Sequence, residues 1–182
     1  MSPGRAGSPA AAPDTLVREL SPRLGGSVVV MGVGNPDRGD DGAGLLVAER
    51  LAEALRGGAL PDGRRVTVLM AGEVPESYLG PAAQARPDTV LLVDAADLGA
   101  EPGSAAVLEP EELREGAVFT HRTPLALLSK FLRRETGADV LLLAVQPRSV
   151  EWGDAMSPEV EEAAAHLADI LASALHREAA AC

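Results

Sequence analysis

Apolar positions along the chain fall into short unbroken runs, and the runs alternate with segments of helical spacing. Ser27–Val33, Arg65–Met70, Thr89–Val93 and Val140–Val145 read as strands. The first, third and last are continuously apolar rather than alternating, the pattern of strands covered on both faces. Ser104–Leu108 reads as a shorter strand at an edge. Between them lie helical stripes. Leu16 and Leu20 share a face, as do Val47, Leu51 and Leu55, with Glu49, Arg50 and Glu53 elsewhere on that turn. Residues 77–85 predict a weak helix, and Leu125, Leu128 and Leu132 mark another that ends at Gly137. Val160, Ala164, Leu167, Ile170 and Leu171 line the last. Thr123-Pro124 and Ser157-Pro158 are helix starts: a capping residue, then proline in the first turn. Strands alternating with helices predict a three-layer α/β/α sandwich around a mostly parallel sheet of about five strands. The expected organisation is a disordered tail over 1–13, a short helix and linker over 14–26, one domain over 27–177 and a second tail over 178–182.

One stretch interrupts this rhythm. Gly32-Val-Gly-Asn-Pro-Asp-Arg-Gly-Asp-Asp-Gly-Ala-Gly44 joins the first strand to the first long helix. Its glycines permit a tight backbone path. Asp40 and Asp41 stand at the expected helix mouth, where the helix dipole favours negative charge. Such a loop is suited to presenting oxygen ligands. A dinucleotide reading fails, because the third glycine of Gly-x-Gly-x-x-Gly would fall on Asp37 and a phosphate there would be repelled.

Composition narrows the field. The 182 residues suffice for one domain with a real core. Aromatics make up only 2%, so that core must be aliphatic. A net charge of -11 argues against nucleic acid and anionic membranes as partners. The single cysteine, Cys182, provides no disulfide framework, and no apolar run approaches the ~20 residues of a membrane span. The N-terminus has no hydrophobic signal core, and a cytoplasmic location is expected.

In a parallel sheet, ligands bind beyond the carboxyl ends of the strands. The first strand runs into Asp40 and Asp41, the second into Glu73 and Glu76, the third onto Asp94, and the last buried strand onto Gln146. His121, before a helix that returns to the sheet, can share that edge. Two carboxylates and an imidazole suit zinc, nickel, iron or manganese, and three ligands leave a position open for water or substrate. Each residue also has a plainer reading. Asp40 can cap the helix, Asp94 can be the first polar residue of a loop, and a lone histidine is usually structural. His166 and His176 on the terminal helix read as surface, Tyr78 and Trp152 as packing. There is no Gly-x-Ser-x-Gly elbow and no internal cysteine, so serine or thiol catalysis has no candidate.

The loop Gly32–Gly44 resembles the opening motif of the hydrogenase maturation endopeptidases, which process the large subunit of nickel-iron hydrogenases. The likeness continues through Gly72-Glu-Val-Pro-Glu-Ser77, Val93-Asp-Ala-Ala-Asp-Leu-Gly99, Thr120-His-Arg-Thr-Pro-Leu125 and Leu143-Ala-Val-Gln-Pro147. It is nearest the branch serving formate-hydrogenlyase-type hydrogenases. The resemblance implies that Asp41, Asp94 and His121 bind metal. It implies a cut that removes a C-terminal extension from the large-subunit precursor once nickel is in place. The nickel is carried by that precursor, with zinc or another divalent ion standing in for it in purified protein. Hydrolysis then uses either water activated at the metal or a carboxylate base, with Asp40 and Glu76 as candidates beside Asp41 and Asp94. Where many relatives carry an aspartate after the second strand this chain has Met70, so no role of that aspartate carries over. A monomer, with no nucleic acid and no membrane insertion, is expected. Two rivals compete: a non-enzymatic nickel and precursor checkpoint protein, and a small-molecule hydrolase on a similar sandwich.

Overall fold

A computed structural model of the chain describes residues 13–111, 118–119 and 125–177. The first helix, α1 (Pro13–Leu20), opens on a proline whose missing N–H costs nothing in a first turn. Then follow β1 (Ser27–Val33), a kinked 3-10 segment (Pro36–Gly42), α2 (Ala43–Ala54), β2 (Arg65–Gly72), a 3-10 turn (Pro75–Tyr78) and α3 (Leu79–Gln84). The second half carries β3 (Thr89–Asp97), β4 (Ala105–Leu108), β5 (Val118–Phe119), α4 (Leu125–Thr136), β6 (Asp139–Val145) and α5 (Pro158–His176).

The sheet has the order β2–β1–β3–β6–β4. The first four of these strands are parallel, β4 runs antiparallel to β6, and β5 pairs antiparallel with the far end of β3. This is the expected α/β sandwich. Although β1, β3 and β6 are apolar throughout, their side chains alternate between two cores. Val28, Val30, Leu91, Val93, Leu141 and Leu143 pack under α1, α2 and α5. Val29, Met31, Val90, Leu92, Val140 and Leu142 pack under α3 and α4. Truncating a fully buried leucine such as Leu91 or Leu142 to alanine costs about 2–5 kcal/mol.

Strand boundaries shift by one or two residues in β2, β4 and β6, and by four at the end of β3. β3 does not stop at Val93 but continues to Asp97: Asp94 and Ala95 pair with Ala144 and Val145 of β6, then Ala96 pairs with Phe119 and Asp97 with Val118 of β5. Asp94 therefore lies inside a strand, fully buried, rather than in a loop.

The two edges of the sheet do different work. At the amino-terminal edge Arg23 clamps the strand starts together. Its guanidinium donates to Asp139 at 2.6 and 2.7 Å and pairs with Glu109, while its carbonyl accepts from the Thr89 hydroxyl at 2.5 Å. Hydrogen bonding to Arg23 holds the Asp139 carboxyl below its ordinary range, and Asp139 and Glu109 together raise the Arg23 guanidinium. Arg64, 8% exposed, donates to the Leu175 carbonyl at 2.6 Å and so satisfies the negative end of α5. The acidic candidates lie at the opposite, carboxyl-terminal edge.

Candidate active site

The strand order reverses at β1. The chain passes from β1 outward to β2, then returns to the other side of β1 as β3. The crevice between the carboxyl ends of β1 and β3 is the switch point where parallel sheets receive ligands. Asp41 arrives there on the loop after β1, and Asp94 stands one residue beyond the Val93 that pairs with Gly32.

Close backbone contact fixes the loop in this place. Gly34 has φ of 139°, and a Cβ there would lie 1.9 Å from the Asp41 carbonyl, so the loop folds back directly on the end of β1. Gly44, in the first turn of α2, sits against both strands. A Cβ would lie 2.1 Å from the Val93 carbonyl and 2.3 Å from that of Val33. Only glycine lets the helix start this close to the switch point.

The two carboxylates are held alike. Asp41 is 2% exposed, and its Oδ2 accepts from the Asn35 N–H at 2.9 Å. Asp94 is 0% exposed, and its Oδ1 accepts from the Ala95 N–H at 2.8 Å. Each thus has one oxygen oriented by the backbone beside it. A carboxylate at the end of an apolar strand is costly to bury, so keeping two at one crevice points to a task there. Oxygen donors of this kind suit a borderline divalent ion when joined by imidazole. Among the described residues no group of three histidine, cysteine, aspartate or glutamate side chains is placed to hold a metal. His121 lies outside the described residues, as do Thr123 and Pro124.

Asp40 departs from its reading as the cap of α2. It does not cap α2, whose first residue follows Gly42 with no side-chain bond to the helix. The 3-10 segment before it is capped by Asn35, which accepts from the Asp37 N–H at 2.9 Å. Asp40 instead points to the loop before α5. Its oxygens accept from the N–H groups of Arg148 (2.7 Å), Ser149 (3.2 Å) and Ser157 (2.6 Å), and from the Ser157 hydroxyl. Ser157 is the N-cap of α5 as expected, but its hydroxyl serves Asp40 and not its own helix. Backbone bonds from Gly39 to Asp154, Asp40 to Ser149 and Gly153 to Asp37 complete the attachment. At 1% exposure and with its oxygens so occupied, Asp40 is a structural staple.

The other candidates share the edge with less order. Glu73 and Glu76 are exposed on the turn after β2. Gln146 is buried, and its Oε1 accepts from Leu98 at 2.6 Å and Ala100 at 3.3 Å, holding the chain beyond β3. His166 and His176 are exposed on α5, as expected, and Tyr78 packs beside the second core. Trp152 does not pack: it is 71% exposed, because backbone bonds and Asp40 hold its loop without it. The attachment of residues 148–157 to the acid loop escaped the sequence reading, since its donors are mostly backbone N–H groups.

A family model described as hydrogenase maturation protease (HycI) matches residues 47–174, a span that contains Glu76, Asp94 and His121 and begins after Asp41. The chain belongs to the hydrogenase maturation protease family. Hydrogenase 3 maturation protease of Escherichia coli is 35% identical over 136 residues, covering 74% of this chain and 82% of that relative. The crystal structure of the NiFe hydrogenase maturation protease HycI from Thermococcus kodakarensis superposes with a TM-score of 0.77 at 37% identity. That likeness covers 87% of this chain and 99% of the other. The maturating endopeptidase HybD of Escherichia coli gives a TM-score of 0.61 at 26% identity, over 81% and 91% of the two chains. As a hydrogenase maturation protease the chain is a peptidase, which removes the non-enzymatic checkpoint and the small-molecule hydrolase from consideration. Among the described residues no helix is long and apolar enough to cross a membrane.

Proposed function

We propose that this peptidase removes the C-terminal extension of a nickel-iron hydrogenase large-subunit precursor, and that Asp41, Asp94 and His121 read the nickel already inserted in that client. The observation that carries the reading is the pair of buried carboxylates facing the β1/β3 switch point. His121 is supported as their partner by connectivity. β5 runs back along β3 from Asp97 to Ala96, towards Asp94, and His121 follows two residues after β5 ends.

Nickel here belongs to the client, so the three side chains act as a reader: they complete its coordination only when the client has been loaded. Cleavage needs a water made nucleophilic beside the scissile carbonyl. The carboxylate we favour as general base is Glu76, exposed on the neighbouring turn, over the stapled Asp40. The turn is tied to the site because the Gly34 N–H donates to the Gly72 carbonyl at 3.1 Å. The protein is taken to act as a monomer in the cytoplasm.

The test uses purified chain with nickel-loaded and nickel-free precursor, following loss of the tail by mass. Wild type is expected to cut only the loaded form, and His121→Ala and Asp94→Asn to cut neither. Equal processing of both precursors by wild type would defeat the nickel-reading role, and full activity of His121→Ala would remove that residue from it.

A further inference from the structure

We propose that an apolar groove beside Asp41 seats the client's tail and selects an aliphatic side chain with a cationic neighbour immediately beyond the scissile bond. This rests on the processing reaction proposed above. The groove encloses about 390 Å³ and is lined by Pro36, Gly42, Leu45, Leu46, Glu49, Met70 and Met156. Gly42 directly follows Asp41, so the groove opens one residue from the carboxylate at the switch point. Its volume takes a few side chains of an extended segment and excludes a folded body. The tail is the part of the client that fits.

Its chemistry selects the occupant. Leu45 and Leu46 come from α2, Met156 from the stapled loop and Met70 from edge strand β2. Alternation along β2 puts Met70 on the face of Val66 and Val68, which pack towards α2, yet Met70 stays 39% exposed. The fold leaves this thioether surface unused, and two flexible methionines adapt to an aliphatic guest. Glu49 stands one turn beyond Leu45 on the same helix face and is the one charged residue of the lining. The neighbouring Arg50 lies instead towards Glu161 on α5, at 3.9 Å. An apolar floor with a single negative rim complements an aliphatic residue followed by a basic one, and the net charge of -11 draws such a tail in.

The experiment compares nickel-loaded precursors carrying Leu-Arg, Ser-Arg or Leu-Glu after the scissile bond, cut by the full chain. Wild type is expected to process Leu-Arg with kcat/KM about tenfold above either alternative. Glu49→Lys should invert the preference between Leu-Arg and Leu-Glu. Met70→Ser should narrow the gap between Leu-Arg and Ser-Arg, with the change falling in KM. Both positions are exposed, so folding is retained, and circular dichroism checks it. Indifference of wild type to the three tails, or an unaltered charge preference in Glu49→Lys, overturns the groove assignment alone. Failure of wild type to cut the natural precursor overturns the processing reading beneath it.

Discussion

Replacing Asp40 by asparagine separates a staple from a catalytic base. In the structure four donors converge on this carboxylate: three backbone N–H groups and the Ser157 hydroxyl. Hydrogen bonds to a charged acceptor contribute about 1.5–3 kcal/mol each, but they are not additive, and asparagine keeps one acceptor oxygen while turning an NH2 against the remaining donors. Arg148, Ser149 and Ser157 are also partly exposed, so water can replace some of the loss. The net cost works out at about 2–4 kcal/mol, which for a domain of this size lowers Tm by about 4–15 °C. Thermal melting by circular dichroism reads the first quantity. Hydrogen exchange reads the second: the amides of Arg148, Ser149 and Ser157 should lose protection while those of β3 keep theirs. Cleavage should weaken only as far as Met156 and its loop leave the groove. An unchanged Tm with unchanged protection, combined with abolished cleavage, would refute the staple and restore Asp40 as a base.

Further outcomes follow from the backbone contact at the switch point and from the clamp at the other edge. Gly44→Ala drives a Cβ against two main-chain carbonyls, at 2.1 and 2.3 Å, with no flexible side chain to yield. It should cost about 3 kcal/mol or more, or displace α2, in denaturant titration; a loss below about 1 kcal/mol would show that the helix does not need this approach. The Arg23–Asp139 pair should make stability acid-sensitive. Because the Asp139 pKa is depressed in the folded state, its contribution is present above the ordinary carboxyl value of 3.8 and is lost as pH falls below it, through the folded value. Both side chains keep about a third of their surface in water, at 31% and 36%, so the contribution is about 1 kcal/mol. The stability gap between wild type and Arg23→Met should therefore close between neutral pH and strongly acid conditions; a gap that stays constant with pH would refute the assignment.

Much of this protein was legible in the order of its residues. Continuous apolarity in β1, β3 and β6 means two covered faces, and two covered faces demand helices on both sides, so the layers followed from periodicity alone. The glycines and acids between Gly32 and Gly44 marked the candidate functional loop, since they serve neither a hydrophobic stripe nor a simple turn. Local patterns carry this information because strand alternation, helix spacing and capping act within a few residues. What lies far apart in the chain was settled only by folding. Asp40 and Asp41 are neighbours with the same side chain, yet one bonds to the loop before α5 and the other to the Asn35 N–H just past β1. β3 runs through Asp94 to Asp97 because β6 pairs with it as far as Ala95 and a two-residue strand from beyond β4 pairs with its last two residues, and Met70 becomes the wall of a groove because Met156 arrives from the far end of the chain. Sequence spacing cannot encode such meetings: they depend on strand order, and strand order comes from packing the whole sheet at once.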